Sequence, residues 1–228
     1  MRIVIGVLLL VLLVIILRVG ELYTQLARYQ RYWDMVNKKP IGDNDLVYVA
    51  FGDSAAQGVG ASRPDKGYVG LLVRQMAGEQ DSPVHVINLS KSGAKVSDVL
   101  QSQLPAYESL NISNPQVITI DIGANDILSF APDRFRAQMD ELLGKLPQNT
   151  IMADIPSFKG SRLGGHEDTV VKANGIMREL APKYGIRLVD LYERVAENHG
   201  LRTFGGDFFH PSDYGYKSNW EKVFSQAV

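Results

Sequence analysis

Leu46-Val47-Tyr48-Val49-Ala50-Phe51-Gly52-Asp53-Ser54 is an apolar run that stops abruptly at Gly-Asp-Ser. Its β-branched and aromatic side chains, bounded by a turn signal, read as a buried strand. In open α/β sheets the C-terminal tips of strands open on the ligand cleft, so Ser54 is a candidate nucleophile presented there. Gly52 lets the backbone bend with no Cβ in the way. Gly-Asp-Ser alone is also an ordinary turn tripeptide. What decides between the two is whether the rest of the chain supplies what a serine nucleophile needs.

Outward from this stretch, apolar runs and helical patterns alternate. Residues 83–89, 117–122, 151–155 and 186–191 read as four further strands, and 68–76, 96–104, 132–146 and 168–180 as helices between them. Such alternation implies crossover connections, a parallel sheet and helices on both of its faces. Two strands end in polar, Gly-containing loops, Ser90-Lys91-Ser92-Gly93-Ala94 and Gly123-Ala124-Asn125-Asp126. In a parallel sheet both loops emerge on the same edge as Ser54. Near the C-terminus stands Gly205-Gly206-Asp207-Phe208-Phe209-His210-Pro211, followed by Ser212 as a plausible N-cap for a closing helix.

A serine hydroxyl is a poor nucleophile until a base takes its proton. Of the four histidines, His210 is best placed for this, because Asp207 three residues earlier can accept from its Nδ1–H and leave Nε2 for Ser54. The same pair could instead cap the final helix. His85 reads as a strand side chain, His199 as part of a helix C-terminus, and His166 as part of a Gly-rich flap over residues 159–166. Acyl transfer also needs donors for the developing oxyanion, and the candidates are the backbone N–H groups of Ser54 and Gly93 and the side-chain amide of Asn125. Asp53 and Asp126 read as structural carboxylates bonding loop N–H groups. No His pair has ligand spacing, so no metal site and no cofactor is expected.

Together the four blocks, Gly52-Asp53-Ser54, Gly93, Gly123-Ala124-Asn125-Asp126 and Asp207 to His210, resemble the SGNH hydrolases, also called the GDSL esterase/lipase family. The resemblance covers roughly Leu46 to the C-terminus, with the blocks in the family's order. It implies a flavodoxin-like three-layer α/β/α sandwich on a parallel five-stranded sheet. It also implies Ser54 as nucleophile, His210 as base, Asp207 as its partner, and Ser54, Gly93 and Asn125 as the oxyanion hole. Ala55 stands where the family name has Leu, beside the nucleophile. The activity implied is hydrolysis of small-molecule, lipid or glycan esters through an acyl-enzyme. An acyltransferase or acetyl esterase acting on envelope glycans, and a non-catalytic envelope binding module, are the alternatives.

The 228-residue chain carries a formal net charge of -1, which exerts no overall pull toward nucleic acid, and no cysteine, which excludes disulfides and thiolate catalysis. Ile3 to Leu17 is unbroken Ile, Val, Leu and one Gly between Arg2 and Arg18. With Val19 and Gly20 it approaches the lower limit for a membrane span, about 17 residues. Residues 1–20 are therefore expected to be an uncleaved single-pass membrane anchor, since no small-x-small cleavage site follows. The basic residues after the run favour a cytoplasmic domain and the very short tail before it favours export, with a slight preference for the latter. Leu22, Leu26, Tyr29, Trp33 and Val36 recur at helical spacing, so residues 21–45 read as an amphipathic juxtamembrane helix and linker. Residues 46–228 read as the hydrolase domain, of undetermined oligomeric state.

Overall fold

The computed structural model describes residues 2–80, 82–112, 114–200 and 202–228. The stretch that opens the reading forms β1 (Leu46–Gly52), and its alternate side chains point to opposite faces of a sheet, as the two-residue period of a strand requires. Val47, Val49 and Phe51 join one apolar core and Tyr48 and Ala50 another. Around β1 stand β2 (Val84–Asn88), β3 (Val117–Asp121), β4 (Ile151–Ala153) and β5 (Arg187–Val189). The order is β2-β1-β3-β4-β5 and every pairing is parallel, with Val49 opposite Ile87 on one side and Ile118 on the other.

Each core is closed by helices. On the face of Val49 and Phe51 lie Phe135, Met139 and Leu142 of helix Pro132–Lys145 and Ala173 and Met177 of helix Glu167–Leu180. On the face of Tyr48 and Ala50 lie Tyr68, Leu72 and Met76 of helix Tyr68–Gln80, with Tyr216, Trp220 and Phe224 near the C-terminus. Helices therefore cover both faces of a five-stranded parallel sheet, as the alternation of patterns predicts.

Two local departures have physical reasons. Leu191, read as the end of the last strand, begins helix Leu191–Glu197, because the Asp190 carboxylate accepts from the Glu193 N–H at 3.2 Å and caps it. The helix expected over 96–104 runs on to Ser109. It passes through a π-turn over Val99–Gln103 just ahead of Pro105, whose missing N–H would break an ordinary ladder at that point.

The N-terminus corrects the sequence reading. Among the described residues no helix is long and apolar enough to cross a membrane. The single-pass anchor over residues 1–20 falls, and with it the single-pass location and the anchoring to a membrane through that helix. The apolar run from Ile3 to Leu17 has 15 residues, against roughly 20 for a span. The helix does not end with that run either: α1 (Arg2–Val36) continues through the amphipathic stretch. Tyr29 and Trp33, which look like headgroup-layer aromatics, are buried at 0% and 2% exposure. Tyr29 Oη donates to Ala61 O at 2.6 Å and Trp33 Nε1 donates to Gln57 O at 3.0 Å. Deleting a fully packed Trp side chain costs about 3 to 5 kcal/mol, so Trp33→Ala is expected to lower unfolding stability by about that much. Urea titration checks it, and a loss under about 1 kcal/mol would contradict the packing role of this helix.

Candidate active site

At the tip of β1, Gly52 has φ +142°, a conformation closed to ordinary side chains. Its N–H donates to Gln103 Oε1 at 2.9 Å and its carbonyl accepts from Gln103 Nε2 at 2.8 Å, so one side chain clamps both backbone groups. Asp53 then caps α2 (Ser54–Gln57), its Oδ1 accepting from the Ala55 N–H at 2.9 Å. Ser54 stands at the start of this turn, 7% exposed.

The C-terminal loop meets it from across the sheet edge. His210 Nε2 lies 2.9 Å from Ser54 Oγ, and His210 Nδ1 lies 2.6 Å from Asp207 Oδ2. The other oxygen, Asp207 Oδ1, accepts the backbone N–H groups of Phe209 and His210, both at 3.0 Å. Burial alone would raise the Asp207 carboxyl. The His210 ring and these two N–H donors outweigh it and hold the carboxyl below its ordinary range, so it is ionised beside the imidazole. The approach depends on Gly60, where a Cβ would stand 2.7 Å from His210 Cβ and 2.5 Å from Pro211 O. Phe209 backs the imidazole edge-on, with centroids 5.0 Å apart, and is itself covered by Phe158 and by the Arg162 guanidinium 4.9 Å from its ring centre.

The three oxyanion candidates are not equivalent. Neither the Ser54 N–H, first in its helix, nor the Gly93 N–H has a hydrogen-bond partner among the described residues. Asn125 Nδ2 has two, donating to Asp53 Oδ2 at 2.9 Å and to Ala94 O at 3.0 Å. Asp126 accepts from the Val96 N–H at 3.1 Å, the loop-bonding role read for it from sequence. The remaining histidines stand apart from the cleft: His85 is buried on β2, His199 Nδ1 lies 2.8 Å from Ala196 O, and His166 closes a short turn over Gly164–His166. No group of three or more His, Cys, Asp or Glu among the described residues could hold a metal.

With this geometry, residues 50–218 match the model of the GDSL-like lipase/acylhydrolase family. The chain belongs to this family. A spore germination lipase, LipC, of Bacillus licheniformis is 27% identical to it over 147 residues, 64% of each chain. The match thus spans just under two thirds of that relative's length. Among solved structures, the lipase/acylhydrolase of Enterococcus faecalis is similar at a TM-score of 0.64 and 21% identity, covering 79% of this chain and 93% of its own. The acetylxylan esterase Axe2 of Geobacillus stearothermophilus reaches 0.64 and 20%, covering 81% and 94%. Phospholipase A1 of Streptomyces albidoflavus reaches 0.59 and 20%, covering 81% and 100%. At such identities these structures share the fold.

Within this member of the family, several residues at the site carry no sequence signal. Besides Gln103, Gln57 donates to Ser90 O at 3.0 Å and accepts from Ser92 Oγ at 2.5 Å, tying α2 to the loop that bears Gly93. Gln30 of α1 holds the same amide at 2.7 Å. Asp121, at the tip of β3, is buried beneath the cleft and accepts from Trp220 Nε1 at 2.7 Å. Burial and then the Asp121 charge push Asp53 well above its ordinary range, and burial pushes Asp121 up to about 6 against the Trp220 bond.

That shift has a sign. Folded Asp121 keeps a proton which the unfolded chain releases from about pH 4 upward. Its contribution to stability is therefore full below that pH and is lost as pH rises toward about 6. Asp121→Asn keeps an acceptor for Trp220 and cannot ionise, so it is expected to flatten the loss. Urea midpoints of both proteins from about pH 4 to 7 check this, and parallel curves would contradict it.

Proposed function

We propose that the chain is a serine esterase that hydrolyses carboxylic esters through an acyl-enzyme, with Ser54 as nucleophile, His210 as base and Asp207 as its orienting partner. The unbroken relay Asp207–His210–Ser54, at 2.6 and 2.9 Å, supports this above any other observation. In the first half-reaction His210 Nε2 takes the Ser54 proton as Oγ bonds to the ester carbon, and Asp207 stabilises the imidazolium that forms. The tetrahedral intermediate collapses, the carbon–alkoxide bond breaks, and Nε2 returns the proton to the leaving alcohol. Water repeats the sequence on the acyl-Ser54 ester, releasing the acid and regenerating the hydroxyl.

The negative oxygen is received by the N–H groups of Ser54 and Gly93 and by the Asn125 amide. A full oxyanion is a stronger acceptor than the neutral Ala94 carbonyl, so it competes for the hydrogen now given to that group. Asn125→Ala is expected to lower kcat by on the order of 10²-fold with little change in KM. Steady-state kinetics on a short-chain aryl ester check this, and a loss of under about threefold would remove Asn125 from the oxyanion site.

Partitioning tests the acyl-enzyme itself. With methanol added, phenyl and p-nitrophenyl esters of one acid should give the same ratio of methyl ester to free acid, because both pass through one acyl-Ser54. A ratio that follows the leaving group would contradict a common intermediate.

A further inference from the structure

We infer that this active site, on the serine-esterase reading above, is built for acetyl-sized acyl groups. The cleft that Ser54 and His210 open onto is partly open to solvent and offers a cavity volume of only about 40 Å³. An engineered apolar cavity that binds benzene measures about 150 Å³. The carbon attacked by Ser54 Oγ must lie within bonding reach of it, so the first atoms of the acyl chain enter this space. A methyl group fits there, whereas a propyl chain meets the walls.

Those walls do not yield readily. The cleft's lining includes Ala55, Ala124, Pro156, Phe158, Phe204 and Trp220. Phe158 and Trp220 are buried at 4% and 3% exposure, and Phe204 at 9%. Trp220 is fixed by its bond to Asp121 and by edge-on packing at 5.6 Å against Tyr216. Phe158 packs on Phe209, centroids 5.9 Å apart, and its backbone N–H is held by the Glu167 carboxylate, which also accepts from Tyr192 Oη at 2.9 Å. Making room for further methylenes would require several of these groups to move together, and close-packed interiors resist that.

The test is a chain-length series on the purified full chain, with p-nitrophenyl acetate, butyrate, hexanoate and octanoate and kcat/KM as the readout. Acetate is expected to be fastest, with a fall of at least about tenfold to butyrate, the scale set by a misfit methylene in a tight pocket. Phe158→Ala should raise the butyrate-to-acetate ratio by about tenfold or more, and Phe158→Leu should raise it less while disturbing the fold little. Wild-type kcat/KM that is equal or higher for butyrate or longer chains would overturn the acetyl assignment and leave the esterase reading standing. A ratio unmoved in both Phe158 variants would overturn it too. If no member of the series is hydrolysed, the serine-esterase reading fails, and this inference with it.

Discussion

Replacing Ser54 by Ala is expected to abolish ester hydrolysis, lowering kcat by about 10⁶-fold while the domain stays folded. The size follows from what is lost: with no Oγ there is no acyl-enzyme, and His210 and the oxyanion donors are left without a nucleophile to serve. The fold should not notice. The side chain is small, its Oγ is bonded only to His210 among the described residues, and α2 is held by Asp53, Gln57 and Trp33 rather than by the hydroxyl. Initial rates on p-nitrophenyl acetate together with a urea titration separate the two effects. A variant with more than about a tenth of the wild-type rate would contradict the nucleophile assignment.

The second large effect is expected at Asp207. Asp207→Asn nearly conserves shape, but the amide offers a donor where the carboxylate only accepts. The imidazole would turn its hydrogen to Nε2, where it can no longer take the Ser54 proton, and the imidazolium would lose its counter-charge. A fall in kcat of about 10⁴-fold is expected. The loss should be less than that of Ser54→Ala, and the double variant should be no worse than Ser54→Ala alone, because residues that act as a unit are not additive. Additive losses would mean that Asp207 works outside the relay. The carboxyl is held below its ordinary range, so it stays ionised well into the acid region.

What the sequence made legible and what it hid divide along a physical line. Strand β1 was readable because six apolar residues end at a turn signal, and the convergence of Ser54, Gly93 and Asn125 followed from one topological rule, that parallel strands deliver their tips to the same edge. His210 and Asp207 were readable as a pair because three residues separate them. The supports were not. Gln103 clamps Gly52 from 51 positions away, and Trp220 reaches Asp121 across 99. Glutamine in a helix is an ordinary surface residue by pattern, and tryptophan an ordinary core residue. Only the folded chain gives them partners.

The misreading of the N-terminus has a related cause. Leu22 to Val36 carries an apolar stripe with Tyr and Trp among basic residues, and that pattern suits both an interfacial helix and a helix docked on protein. Periodicity reports that one face is covered and is silent about what covers it. Here Trp33 and Tyr29 pack onto the turn that carries Ser54 and the loop that backs His210, through Gln57 O and Ala61 O.

The central claim is that the Ser54 hydroxyl is activated by an imidazole from the far end of the chain. Intact-mass measurement after exposure to a fluorophosphonate, with peptide mapping of the adduct, tests it most directly. A single adduct on Ser54 is expected in the native chain, none in Ser54→Ala, and labelling slowed by orders of magnitude in His210→Ala. A native chain that takes up no label, or a His210→Ala variant that labels at the native rate, would contradict it.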